Sequence, residues 1–171
     1  MTNTAGEPLE IERKFLIRMP AENTLRETAS RILSICQIYL RKGESGGTAR
    51  IRRITENGSE RFFFTEKQHI TDAVRIERER EISREEYDSL VPLRDPERRT
   101  IRKTRYCVPF GGHTLEIDVF PFWSSQAYCE IELTDADEEI TMPGWLEVLR
   151  EVTADRRYTN SALALNIPPE G

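Results

Sequence analysis

Cysteine and histidine are scarce in this chain of 171 residues, which has three of the first and two of the second. Cys36, Cys107 and Cys129 are odd in number and lack metal-type spacing, so they read as buried, reduced thiols rather than a disulfide framework. His69 and His113 are too isolated for a zinc site or a histidine-based triad, and are expected at the surface or at strand ends. No apolar run is long enough to span a bilayer, and the opening MTNTAGEP has none of the kind a signal peptide needs. A cytoplasmic protein with no membrane partner is therefore expected. A basic surplus is missing too. The formal net charge of −5 disfavours indiscriminate nucleic-acid binding, although 25 Lys and Arg residues remain available for a local basic pocket.

Charged residues make up 32 % of the chain and hydrophobic ones 37 %, a balance that suits a folded globular protein. The length fits one domain over residues 1–171, with no repeat or linker to divide it. Residues 9–17 read as a first strand. A break at Pro20 is followed by helical spacing over 22–34, where Leu25, Ala29, Ile32 and Leu33 would share a face. QIYLRK, TARIRRIT, RFFFTEKQ and AVRIEREREIS read as strands, with ESGG and NGSE as turns. Ser83 is placed to cap a short helix over REEYDSLV, with Glu86 at the reciprocal position. RTIRKTRYCVPF and HTLEIDVFPF flank a Gly-Gly hairpin, and QAYCEIELT follows as a last strand. A helical region broken near Pro143 and a final turn capped by Asn160 complete the expectation. The fold class predicted is mainly β: about eight antiparallel strands closed into a barrel, with helices at its edges.

The chemistry lies in how charge alternates along those strands. Glu10, Glu12 and Lys14 share one face of the first, opposite Leu9, Ile11 and Phe15. Arg50 and Arg52 share a face, as do Glu77 with Glu79, Lys103 with Arg105, Glu116 with Asp118, and Glu130 with Glu132. Lys67 ends the strand RFFFTEK, and Glu81 reads as a solvated strand residue. For any one strand a polar face is simply the wet side of an antiparallel sheet. Across the set that reading weakens, because neighbouring like charges repel unless something opposite binds between them. A closed barrel with this face inward would hold both an anion and a cation. Carboxylates without His or Cys suit a hard divalent ion such as Mg²⁺ or Mn²⁺, and guanidinium forks suit phosphate oxygens. The outward face is then apolar and must be covered by helices or by a dimer interface.

The same residues resemble the CYTH superfamily of triphosphate tunnel metalloenzymes. Glu10-Ile11-Glu12-Arg13-Lys14 matches its ExExK signature. Ala49-Arg50-Ile51-Arg52, Thr65-Glu66-Lys67, Arg75-Ile76-Glu77-Arg78-Glu79, Lys103-Thr104-Arg105-Tyr106, Glu116-Ile117-Asp118-Val119-Phe120 and Glu130-Ile131-Glu132-Leu133 follow in order. Glu151-Val152-Thr153, with Tyr158 and Asn160 after it, extends the likeness over roughly residues 9 to 166. The resemblance implies an eight-stranded tunnel that binds a triphosphate and one or two Mg²⁺ or Mn²⁺ ions, often in a homodimer. It implies phosphate binding by Arg50, Arg52, Lys67, Lys103 and Arg105. Metal binding would fall to Glu10, Glu12, Glu77, Glu79, Asp118, Glu130 and Glu132, and catalysis to Lys14, Glu12 and Arg52. Similar small bacterial members are mostly tripolyphosphate hydrolases.

Trp123 and Trp145 read as packing residues rather than as stacking platforms, which favours inorganic tripolyphosphate over a nucleotide or thiamine ester. The alternatives are class IV adenylyl cyclase or thiamine triphosphatase activity in the same fold, a non-catalytic polyphosphate or nucleotide sensor, and a small lipocalin-like carrier. A pure anion binder needs few carboxylates, and a carrier needs an apolar inward face.

Overall fold

A computed structural model describes residue 2 and residues 4–41 and 47–171. Nine strands carry the fold: β1 Leu9–Arg18, β2 Arg31–Tyr39, β3 Thr48–Glu56, β4 Ser59–His69, β5 Val74–Ile82, β6 Ile101–Phe110, β7 His113–Val119, β8 Gln126–Glu132 and β9 Val148–Glu151. Among the described residues, three short α-helices accompany them: α1 Glu22–Thr28, α2 Arg84–Leu90 and α3 Asn160–Leu163. Every pairing is antiparallel, and β1–β5–β4–β3–β2–β6–β7–β8 closes back on β1, so eight strands form a barrel. β1 makes that closure by splitting one edge. Its residues 9–11 pair with β5, its residues 15–17 pair with β9, and its other edge pairs with β8.

Two hairpins owe their tightness to backbone that few residues adopt. Asn57 and Gly58 both have positive φ, as do Gly111 and Gly112, which fits the twist of paired strands. The turn expected over 44–47 and the end of the strand expected to run through Lys42 fall largely outside the described residues.

Four expectations need correction. The helix predicted over 22–34 stops at Thr28, because Arg31 onward is recruited into β2 by laddering with β6. Ile32 then packs outward with Leu25 and Ala29, whereas Leu33 turns inward beside Ile35 and Cys107, a division that only a strand permits. The region around Pro143 is irregular rather than helical. Ile140, Met142 and Trp145 lie flat on the outer core, and β9 follows. Thr159, not Asn160, caps α3, its hydroxyl accepting from Ala162 N–H. Ser83 does cap α2 by accepting from Glu86 N–H, but the Glu86 side chain turns to Arg80 instead of completing the box.

The outer apolar faces are covered where helices lie on them. Leu25 of α1 joins the cluster of Ile17, Leu115, Ile117 and Ile131, and Tyr87 of α2 joins Ile51, Phe62 and Ile82. The interior is less uniformly charged than the sequence suggested. Leu16, Tyr39, Ile101, Phe120 and Tyr128 fall in the inward register and pack with Trp123, Val152, Tyr158 and Leu163 into an aromatic plug. Trp123 is buried there and Trp145 lies half-buried outside, so both pack. The three cysteines are free and buried. His113 opens β7 and His69 ends β4, as expected.

Candidate active site

Strand register brings the charged rows together inside the barrel. Glu12 lies opposite Glu132 and Lys14 opposite Glu130 across β1 and β8. Arg50 faces Thr65 across β3 and β4, Lys67 faces Glu77 across β4 and β5, and Arg105 faces Asp118 across β6 and β7. Glu12, Lys14, Arg50, Arg52, Lys103, Asp118 and Glu130 are all at least nine-tenths buried. Charges so enclosed need partners, and the barrel supplies them internally.

Two layers of ion pairs result. In the one away from the cavity described below, Asp118 serves both Lys103, at 2.5 Å, and Arg105, at 2.7 Å, and Arg105 also reaches Glu116 at 2.7 Å. Arg52 pairs with Glu79 at 2.6 Å, and the Thr65 hydroxyl donates to the same carboxylate at 2.7 Å. In the outer layer, Lys67 bridges Glu10 at 2.7 Å and Glu77 at 3.1 Å, and Arg75 holds Glu12 at 2.6 Å. Lys14 stands 3.2 Å from Glu130, donates to the Tyr158 carbonyl and lies over the Tyr128 ring. Glu81 sits at the rim on Arg61.

A cavity of about 300 Å³ opens onto the outer layer. Glu12, Lys14, Arg50, Lys67 and Arg75 line it from the barrel, and Thr153, Arg156, Thr159 and Ser161 from the C-terminal segment. Of the three residues implied as catalytic, Glu12 and Lys14 meet there, whereas Arg52 does not line the cavity and lies on Glu79. Arg50 and Lys67 also reach the cavity. Lys103 and Arg105 do not line it, being held on Asp118.

The electrostatics divide the acids. Burial raises the Glu12 carboxyl, with Glu130 and Glu10 adding to it. Burial likewise raises Glu10, against Lys67, and Glu132, with Glu10 and Glu12 adding. Burial also works against the Glu130 charge, yet Lys14, Lys103 and Arg105 together hold that carboxyl well below the usual range. Glu116 is pushed up to about 7 by burial despite Arg105, and burial brings the Lys103 ammonium down to about 8 against the pull of Asp118.

Besides burial, Glu132 feels Glu10 and Glu12, and Glu12 feels Glu10, and an oxygen-only donor set of this kind suits a hard divalent ion. Among the described residues, no three acidic side chains converge on one ligating point. Glu10 and Glu12 are turned onto Lys67 and Arg75. The basic side has its own unfilled capacity. Arg50 and Arg52 each bury an Nε that has no hydrogen-bond partner, and Arg50 has no ion pair among the described residues.

Arg75 escaped the list of sites drawn from sequence, although it stands two residues before Glu77 in the same alternation. Thr65 likewise keeps step with Lys67. Arg156 and Ser161 carried no local signal, because only the return of the C-terminal segment brings them to the cavity.

Comparison with known proteins agrees with the fold. The model of the CYTH domain matches residues 8–157. An inorganic triphosphatase of Acetivibrio thermocellus is 32 % identical over 158 residues, covering 92 % of this chain and 94 % of the relative. An inorganic triphosphatase of Nitrosomonas europaea is 34 % identical over 163 residues, covering 93 % and 99 %. A crystal structure of an inorganic triphosphatase superposes with a TM-score of 0.58 at 30 % identity, covering 94 % of this chain and 97 % of that one.

Proposed function

This chain belongs to the CYTH domain family, and on that footing we propose that its barrel interior hydrolyses a triphosphate, with inorganic tripolyphosphate giving pyrophosphate and phosphate. The observation that carries the reading is the pair of buried, unpartnered Nε donors on Arg50, which lines the cavity with Lys14, Lys67 and Arg75, and on Arg52, the next inward residue of β3. Such donors are costly to bury and become satisfied when phosphate oxygens arrive. Among the described residues, the cavity offers no exposed ring to stack on a base apart from His69 at its rim. Tyr39 is buried, its hydroxyl accepting from Gln37 at 3.1 Å. That supports an inorganic substrate.

In the proposed mechanism, triphosphate oxygens take Lys67 and Arg75 over from Glu10 and Glu12, which frees the two carboxylates. Arg50 and Arg52 then hold non-bridging oxygens, and Lys14 orients the attacking water. Water attacks the terminal phosphorus in line, the bond to the bridging oxygen breaks, and the electron pair leaves with pyrophosphate. Glu12, whose raised affinity for a proton suits the role, accepts the proton from water. Glu10, Glu12 and Glu132 would hold a Mg²⁺ or Mn²⁺ ion, which would supply charge neutralisation at the phosphate oxygens. Glu77, Glu79, Asp118 and Glu130 complete the acidic side by positioning the basic groups.

Phosphate release is to be followed from tripolyphosphate, ATP and thiamine triphosphate, each with Mg²⁺, Mn²⁺ or EDTA. Rapid release from tripolyphosphate that EDTA abolishes is expected. Arg52→Ala should lower kcat by roughly 10²- to 10³-fold and leave the folded spectrum unchanged. Parent-level turnover by that variant would overturn the assignment. We extend the proposal to a cytoplasmic homodimer, supported by the buried free thiols and by exposed Val148 and Leu149 on β9. Light scattering tests the dimer, with a single 19.9 kDa chain as the contrary result.

A further inference from the structure

The outer face of the barrel is not apolar throughout. Between the parts covered by α1 and α2, three adjacent strands carry a polar array. Cys36 on β2 faces Arg53 on β3 and Arg102 on β6, and Ser34 on β2 faces Thr55 on β3 and Thr104 on β6. Ile35 and Gln37 take the inward register, so these six side chains share the outer face. The result is a row Arg–Cys–Arg beside a row Thr–Ser–Thr, centred on β2. All six line one groove of about 280 Å³.

The two guanidinium groups are short of negative charge. Several other surface arginines are closely paired: Arg31 with Glu56 at 2.9 Å, Arg61 with Glu81 at 2.7 Å, Arg80 with Glu86 at 2.6 Å. Arg102 is exposed and has no carboxylate at ion-pair distance among the described residues. Arg53 comes no nearer than 3.9 Å to Glu60, a carboxylate that Arg84 holds closely. Two cations facing one neighbour on adjoining strands repel unless an anion lies between them. Neighbouring strands run about 4.8 Å apart, so two long side chains flanking β2 can converge above Cys36.

We infer that this groove is a second anion site, separate from the tunnel, in which Arg53 and Arg102 clasp a phosphate-sized oxyanion while Ser34, Thr55 and Thr104 donate hydroxyl hydrogen bonds. Two planar forks and three hydroxyls offer more donors than a carboxylate has oxygens to accept, and they match the several oxygens of a tetrahedral phosphate. The inference does not depend on the reaction proposed for the tunnel. Its ligand chemistry is the phosphoryl oxyanion, whether free in solution or on a larger molecule.

The full-length chain is to be titrated with inorganic phosphate and, in parallel, with O-phosphoserine, while amide shifts are followed in ¹H–¹⁵N spectra. Saturable shifts at Ser34, Cys36, Thr55 and Thr104 are expected with inorganic phosphate. Saturation by both compounds would assign the cradle to any exposed phosphoryl group, and saturation by inorganic phosphate alone to the free anion. Arg102→Gln should weaken this phase about tenfold or more. Arg53→Gln/Arg102→Gln should remove it, leaving shifts of tunnel residues and hydrolysis of tripolyphosphate as in the parent. Outer-face shifts that never saturate, or that persist in the folded double variant, would overturn the site. Hydrolysis results bear only on the tunnel, so the two readings fail separately.

Discussion

Lys103 and Asp118 face each other inside the barrel with Nζ 2.5 Å from Oδ2, their side chains 1 % and 0 % exposed. Arg105 binds the other carboxylate oxygen at 2.7 Å. One aspartate therefore supplies neutralising charge to two buried cations, Arg105 drawing on Glu116 as well, and fixes both before any substrate arrives. Burial opposes the charge on Asp118, yet Arg105 and Lys103 hold its carboxyl below the ordinary value.

Asp118→Asn should keep the shape of the site and remove that neutralisation. A loss of about 3–5 kcal/mol is expected in urea denaturation, because an unpaired buried charge remains. Tripolyphosphate should restore part of the loss by supplying negative charge to the folded state alone. A loss under ~1 kcal/mol, the size of an exposed pair, would contradict the account.

Arg75 lines the cavity and holds Glu12 at 2.6 Å. If it grips substrate equally before and during reaction, Arg75→Gln should raise KM for tripolyphosphate about tenfold with little change in kcat. Steady-state kinetics separate this from a purely structural role, which would leave KM alone.

The aromatic plug is a stability element. Trp123 sits edge-on to Phe120 at 5.5 Å and to Tyr128 at 5.2 Å between ring centroids, and its indole N–H donates to the Pro168 carbonyl. Trp123→Ala should cost ~3–5 kcal/mol in chemical denaturation. Trp145→Ala, on the half-buried outer surface, should cost clearly less. Equal costs would mean that the plug is not packed as described.

Glu138 governs part of the acid limb of stability. It accepts from the Thr134 N–H at 2.9 Å, lies 2.8 Å from His113 Nε2 and accepts from the Thr134 hydroxyl, and these contacts lower its pKa from 4.5 to about 2. The folded chain thus takes up this proton less readily than the unfolded one. The stabilisation is complete above the unfolded value and fades as pH falls through the folded one. Glu138→Gln should flatten stability against pH between about pH 4.5 and pH 2. An unchanged slope in that window would show that the contacts are not made in solution.

The charged alternation was legible because a strand has a period of two and hides nothing about which residues share a face. Glu10, Glu12 and Lys14 could be grouped at once, and the ordered like-charged pairs after them pointed inward together. The helix expected through Leu33 failed because Leu25, Ala29 and Ile32 suit either period, and the ladder with β6 outweighed local preference. The aromatic plug was hidden for a related reason. Leu16, Tyr128 and Phe120 continue the charged rows in strict alternation, but composition alone does not say where along a barrel polarity gives way to packing.

By itself, the sequence determined the barrel, the family and the identity of nearly every charged group on its inner face, since alternation follows from backbone geometry alone. Only the tertiary structure decided which charges meet. Register and closure set Asp118 between Lys103 and Arg105, gave Glu12 to Arg75, brought Arg156 to the cavity and left Arg53 and Arg102 outside together. Those pairings depend on how strands distant in the chain align, and Coulomb and hydrogen-bonding forces act only over the few ångströms that alignment creates.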